Sequence, residues 1–185
     1  MDSQWLAQCR EGDSLAIERL VQTHQADVYR LALSILDDAD DADDATQEVF
    51  LSALRALESF RGDASFRTWL FSIAVNVCRN RLTRHKSRGR VQQILQNLFA
   101  QEQAYPERRR RDPEKEAVQN ETDAALWQAI LVLDDKHRIP VILRYYHDLP
   151  VADIANMLGI PSGTVHSRLN HAREQLRALL KEDGR

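Results

Sequence analysis

Along the chain, apolar residues recur at three- and four-residue steps and nowhere alternate as they would on a half-buried strand, so the pattern predicts helices throughout. A first long helix is expected from Asp13 or Ser14, just after Gly12, to about Leu36, with Leu20, Val21, Val28, Leu31 and Ile35 on one face. It ends in an acidic run, Asp37 to Asp44. A second helix then carries Val49, Phe50, Ala53, Leu54 and Leu57 and closes before Gly62. The clearest helix follows Ser65, a good N-cap, with Phe66, Trp69, Leu70, Ile73, Ala74, Val77 and Cys78 forming its apolar side. The opposite side (Arg67, Thr68, Ser72, Asn76, Arg79, Asn80, Thr83, Arg84) is polar without being acidic. The helix runs out into Arg81, Arg84, His85, Lys86, Arg88 and Arg90.

Residues 91–121 read as a linker, with Pro106, Pro113 and the run Arg108 to Arg111 and little to build a core. Within it Val91, Ile94, Leu95, Leu98 and Phe99 make a short amphipathic stripe, either an extension of the preceding helix or a docking segment for a partner. A second helical unit is expected from Thr122, a plausible N-cap. Leu126, Trp127, Ile130, Leu131 and Leu133 lie in one helix, and Ile139, Val141, Ile142, Leu143 and Tyr145 in the next. The last pair of helices has the grammar of a helix-turn-helix. Ile154, Ala155 and Leu158 face inward, Gly159 ends the first helix in the left-handed conformation, and Ile160 is buried in the turn. Pro161 and Ser162 then start a second helix anchored by Val165, Leu169 and Ala172. That helix exposes Ser162, Thr164, His166, Ser167, Arg168, Asn170, His171 and Arg173, side chains that hydrogen-bond base edges and phosphates. The same pattern also fits a purely structural helical hairpin.

The net charge of −3 over 185 residues says nothing about partners, but its distribution does. Residues 1–60 hold 4 Lys and Arg against 13 Asp and Glu, residues 61–111 hold 12 against 3, and residues 112–185 hold 9 against 12. An acidic front beside a basic middle suggests two surfaces for two partners. Cys9 and Cys78 have neither CxxC nor His spacing, which argues against a disulfide framework or a zinc site; Cys78 reads as a small core residue. No apolar stretch approaches membrane-spanning length and the N-terminus lacks a secretory pattern, so a cytoplasmic protein without membrane insertion is expected.

Three segments together resemble one family. Asp153 to Leu169 (DIANMLGIPSGTVHSRL) is similar to region 4 of extracytoplasmic-function sigma factors of bacterial RNA polymerase. Ser59 to Leu70 (SFRGDASFRTWL), continuing through Ile73, Ala74 and Asn76, resembles their region 2, and Asp44 to Phe50 (DATQEVF) its core-binding part. The resemblance implies an all-α fold of two small helical domains joined by a flexible linker: residues 1–90 as region 2, 91–121 as linker and 122–185 as region 4. It implies a sigma factor that binds core polymerase and directs initiation at −10 and −35 promoter elements, for a stress or envelope-response regulon, with no catalysis, cofactor or metal. Asp44, Gln47 and Glu48 would contact the clamp helices of a large polymerase subunit, and spacings of three and four do put them on one helix face; a merely solvated face is the alternative. The other expected partners are the polymerase flap, promoter DNA and an anti-sigma factor.

The loop Phe60, Arg61, Gly62, Asp63, Ala64 and Ser65 would accept an unstacked base of the −10 strand, with Asn76, Arg79, Asn80 and Arg84 holding its neighbours. Extruding a base costs a few kcal/mol, which a shaped loop and cationic groups must offset. By its spacing Trp69 reads as core rather than as a stacking platform. The recognition helix would lie in the −35 major groove. There His166 and His171 stand where many relatives carry Arg or Lys, and Pro150 replaces a hydroxyl N-cap while suiting a first helical turn. A linker of about 30 residues reaches at most ~100 Å, enough to bridge DNA sites more than one turn of about 34 Å apart. Two rivals remain. A stand-alone helix-turn-helix regulator explains residues 120–185 but leaves the Asp44-Gln47-Glu48 face without a role. An enzyme would need a phosphate loop, ligand cluster or nucleophile–base pattern, which the sequence lacks.

Overall fold

The computed structural model describes residues 3–98 and 121–182, and among these every regular element is helical. The N-terminal unit holds α1 (Ser3–Arg10), α2 (Ser14–Leu36), α3 (Ala39–Ala56) and α4 (Phe66–Leu98). The C-terminal unit holds α5 (Glu121–Val132), α6 (Asp135–Val141), α7 (Val151–Leu158) and α8 (Ser162–Glu182).

Helix α1 is an addition to the expected set. It has only Trp5, Leu6 and Cys9 to bury, too few to show a period, and Leu6 and Cys9 pack into the core. Its Arg10 guanidinium donates to the carbonyls of Leu57 (3.2 Å) and Phe60 (2.8 Å), tying down the 3-10 turn Leu57–Ser59 that follows α3. Helix α2 begins as expected, with the Asp13 carboxylate accepting from the amides of Leu15 and Ala16.

The acidic run is not a loop. Asp37 closes α2 in the left-handed conformation (φ 56°), Asp38 caps α3 by accepting from the Asp41 amide, and Asp40 and Asp41 occupy the first turn of α3. Free amides and the positive end of the helix dipole make that turn the place where carboxylates are stabilising. What reads as punctuation in the sequence is a helix start.

Ser65 caps α4 as expected, accepting from the Thr68 amide at 3.0 Å. The apolar side of α4 is broader than its expected stripe. Phe71 and Val75, outside that stripe, are fully buried, whereas Trp69 and Ile73 are only partly so. The reason is that α4 is covered twice, by α2 and α3 on one side and by α7 on another. The helix also continues through 91–98, so the expected linker starts as α4; the side chains of its stripe, Phe99, the Arg108–Arg111 run and the two prolines lie outside the described residues. Thr122 lies inside α5 rather than capping it, since α5 already runs at Glu121.

In the C-terminal unit Asp134 caps α6, and Pro140, which has no N–H to donate, sits within that helix. A single π turn, Ile142–Tyr146, follows and rotates Tyr145 outward to 54% exposure, so Tyr145 is not a core residue as its spacing suggested. Pro150 occupies the cap position of α7 rather than its first turn and supplies no side-chain cap. Gly159 takes φ +64°, and the Ile160 amide reaches back to Ala155 O at 3.0 Å. Ala155, Val165, Leu169 and Ala172 are buried; Ile160 is only partly so.

The two units meet where α7 lies along α4. Arg138 of α6, steadied by Asp135 (3.2 Å), donates to Ile35 O at 3.2 Å, satisfying a carbonyl in the last turn of α2. Lys86 of α4 pairs with Asp135. His147 stands edge-on to Phe71 (centroids 5.5 Å apart) with Nε2 3.4 Å from Ser34 Oγ. Burial, with the nearby Arg67 guanidinium, pushes its pKa down to about 4.

Two outcomes are expected from this geometry. Open space surrounds the Cβ positions of both Gly159 and Gly163, but only Gly159 has positive φ. Gly159→Ala should therefore destabilise the protein by about 1 kcal/mol through backbone strain, and Gly163→Ala, inside α8, should stabilise it by about 0.5–1 kcal/mol. Denaturant titration of both variants reads the opposite signs. His147 is neutral in the folded chain, so its contribution is complete above an unfolded pKa of about 6.5 and is lost as pH falls from there toward 4. His147→Gln should accordingly flatten the fall in urea midpoint between pH 7 and pH 5; an unchanged slope would show that other groups set it.

Candidate nucleic-acid and partner interfaces

Helix α3 brings Asp44, Gln47 and Glu48 to one face, as the spacing requires. Asp44 and Gln47 are exposed and Glu48 is half-exposed. Behind them lies Arg81 of α4, whose side chain is 18% exposed. Its Nε and Nη2 both donate to Glu48 Oε2 (3.2 and 2.9 Å), while Nη1 lies 3.7 Å from Asp41 Oδ1 and 3.8 Å from Asp44 Oδ2. Arg81 was not among the expected site residues, yet a signal existed. It follows Ala74, Val77 and Cys78 at steps of seven, four and three, so it continues the stripe facing the bundle. One turn beyond Glu48, Leu51 adds an apolar side chain, 56% exposed.

The loop after α3 divides by depth. Phe60 is buried, its ring edge-on to Phe66 (5.6 Å) and tilted against Trp69 (5.1 Å), so it anchors the loop from beneath. Arg61, Gly62 (φ +83°), Asp63, Ala64 and Ser65 are exposed. Trp69 is half-buried, belonging both to the aromatic cluster and to the wall of a cavity. That cavity, of about 270 Å³, lies between the loop with Thr68, Trp69 and Ser72 and α7 with Asp153, Asn156 and Met157.

Further along α4, Asn76, Arg79 and Asn80 are exposed and turned away from Arg81 and its acidic partners, while Arg84, also exposed, lies one turn beyond Arg81 on its side of the helix. Arg79 and Thr83 share a second cavity, about 240 Å³, with Asp135, Lys136 and the half-buried Arg168 of α8. On α8, Ser162, His166, Ser167, Asn170 and Arg173 are exposed, Thr164 is half-buried, and Arg173 hydrogen-bonds Asn170. His171 is exposed but lays its ring against that of His137, 4.7 Å between centroids, so it packs on α6. The expected −10 and −35 residues thus occupy two surfaces that, at Arg79 and Arg168, face one another.

Both cysteines are buried, and burial pushes the Cys78 thiol up to about 12 and raises that of Cys9, leaving neither as a nucleophile. Among the described residues no group of His, Cys, Asp and Glu is placed to hold a metal ion, and no helix is long and apolar enough to cross a membrane.

Comparison with known proteins matches both units. Sigma-70 region 2 covers residues 20–88, and sigma-70 region 4 covers residues 123–176. The RNA polymerase sigma-H factor of Pseudomonas aeruginosa is 34% identical over 98% of this chain and 96% of its own length. The ECF sigma factor SigW of Bacillus subtilis is 30% identical over 96% of this chain and 95% of its own. SigM of Mycobacterium tuberculosis is 36% identical over 97% and 84%. Among solved structures, CnrH in complex with the cytosolic domain of CnrY superposes with a TM-score of 0.65 at 25% identity, covering 97% of this chain and 96% of that one. RpoE of Bartonella quintana, at 24% identity and a TM-score of 0.66 over 89% and 96%, shares the fold. With both regions present in order and relatives matching over nearly the whole chain, the protein belongs to the sigma-70 family as an ECF RNA polymerase sigma factor.

Proposed function

We propose that the two units divide promoter recognition, residues 1–90 serving core polymerase and the −10 strand, residues 122–185 serving the −35 duplex, and residues 91–121 linking them. As a sigma factor the chain directs RNA polymerase to promoters for initiation, and it does so without chemistry of its own. The observation that carries the division is on α4. Asn76, Arg79 and Asn80 are exposed on the side away from α3, with Arg84 exposed one turn further on, while Arg81 turns to α3. A single strand lying along that polar side would meet amide and guanidinium groups and, at the loop, the half-buried Trp69. On α8, His166, Ser167, Asn170 and Arg173 supply the duplex contacts, joined by Arg168 once the units separate. Asp44, Gln47 and Glu48 dock on the polymerase clamp, and the C-terminal unit meets the flap.

Arg79 and the half-buried Arg168 line one cavity between the units and α7 walls the cavity beside the loop, so these parts of the two surfaces open fully to DNA only when the units separate. Polymerase, which takes both units, provides for that separation. A cytoplasmic protein with an anti-sigma partner that holds the closed form, freed for a stress or envelope response, fits this arrangement; CnrH, similar over both units, is seen bound to the cytosolic domain of CnrY.

Holoenzyme carrying Asp63→Ala with Asn80→Ala should still be recruited to duplex promoter but open it poorly, read as lost permanganate reactivity of unpaired thymines. Holoenzyme carrying Arg168→Ala should bind duplex roughly tenfold more weakly, with a salt slope lower by about one, yet work on a template already melted at −10. Equal loss by both variants on both templates would reject the division of labour.

A further inference from the structure

The basic stretch of α4 places Arg79, Arg81 and Arg84 within two turns, and on charge alone all three suit DNA. The structure separates them. Arg79 and Arg84 are exposed, whereas Arg81 has only 18% of its side chain exposed and spends its donors on α3. We propose that Arg81 is not a DNA contact but the positioning residue for the polymerase-facing side of the molecule, holding Glu48 and Asp44 in the orientation that core polymerase meets. The proposal rests on the assignment of that α3 face to polymerase, which comes from family membership rather than from its charge.

The geometry explains why such a residue is needed. Asp41, Asp44 and Glu48 stand on successive turns of one helix, where like charges repel and long side chains sample many rotamers. The Arg81 fork approaches all three and takes one oxygen of each: Glu48 Oε2 by two donors, Asp41 Oδ1 and Asp44 Oδ2 by the third nitrogen. His85 Nε2 adds a contact to the second oxygen of Asp41 at 3.6 Å. Glu48 keeps 41% and Asp44 69% of side-chain exposure, so each is oriented from behind and still accessible in front. A partner then finds two carboxylates whose rotamers are already restricted, and preorganisation of that kind appears as affinity. Lysine, a point charge without the fork, could hold only one of them.

The opposite relation is conceivable in the same geometry: Arg81 as a competitor that polymerase must displace from Glu48. The sign of one measurement separates the two. Core polymerase affinity of the full chain is measured for Arg81→Met, which keeps the apolar stem in the bundle, for Arg81→Lys, for Glu48→Gln and Asp44→Ala, and for Arg81→Met with Glu48→Gln, with thermal melts of each. Positioning requires Arg81→Met to weaken assembly, on the order of tenfold, Arg81→Lys to recover part of it, and the double variant to bind little worse than Glu48→Gln alone. Binding of a −10 single strand by assembled holoenzyme should be unchanged in Arg81→Met. Tighter assembly, or full additivity with Glu48→Gln, overturns the proposal. If Arg81→Met does not fold, Arg81→Lys against Glu48→Gln carries the same coupling test. Unchanged affinity in both Glu48→Gln and Asp44→Ala would instead strike the polymerase assignment of the face itself.

Discussion

The burial of α4 against α2 and α3 decides what every other surface of the molecule can do. Leu70, Ala74, Val77 and Cys78 commit one side of the helix to the bundle, and with one side committed the helix period assigns the rest. Arg81 falls on the bundle side and reaches the carboxylates of α3; Asn76, Arg79 and Asn80 fall away from it; Phe71 falls toward His147 of the other unit. Three surfaces are thereby set by one element, and a change in how α4 packs would disturb all of them together.

The junction between the units is built differently from either core. Beside the packing of α7 on α4, it holds the Arg138 guanidinium on Ile35 O, the Lys86–Asp135 pair and the seat of His147 between Ser34 and Phe71. Cavities of about 270 and 240 Å³ lie along the same boundary. Both are clefts open to solvent, so water reaches the boundary where it does not reach the core of either bundle. That difference lets the units part while each keeps its fold, which a subunit touching a promoter at two places requires.

Much of this was legible in the sequence because it follows from period and local chemistry. The limits of α2, the Ser65 cap, the inward side of the helix-turn-helix and the left-handed Gly159 all come from residues within one or two turns of each other. What escaped depends on contacts distant in sequence. Helix α1 is too short to show a period. The acidic run marks the end of α2 in the sequence, but that Asp38 within it caps the start of α3 shows only in the fold. Phe71 is absent from the expected stripe because it is covered by a residue 76 positions on, and Tyr145 leaves the expected core because a π turn follows Pro140. In the site, the faces on α3 and α8 were readable from spacing, but the inward turn of Phe60, the packing of His171 on His137 and the engagement of Arg81 belong to tertiary structure.

The two units meet at α4 and α7 in the free chain, and the proposed division of labour requires them to separate in the polymerase complex. The direct measurement is a distance between spin labels at Glu18→Cys on α2 and Glu174→Cys on α8, both exposed positions. The native thiols need not be removed, since both are buried and burial raises their pKa values, which keeps them slow to react. The free chain should give one narrow distance, and the holoenzyme a longer one with none of the free-chain population left. A broad distribution in the free chain, or the same distance in both states, would contradict it.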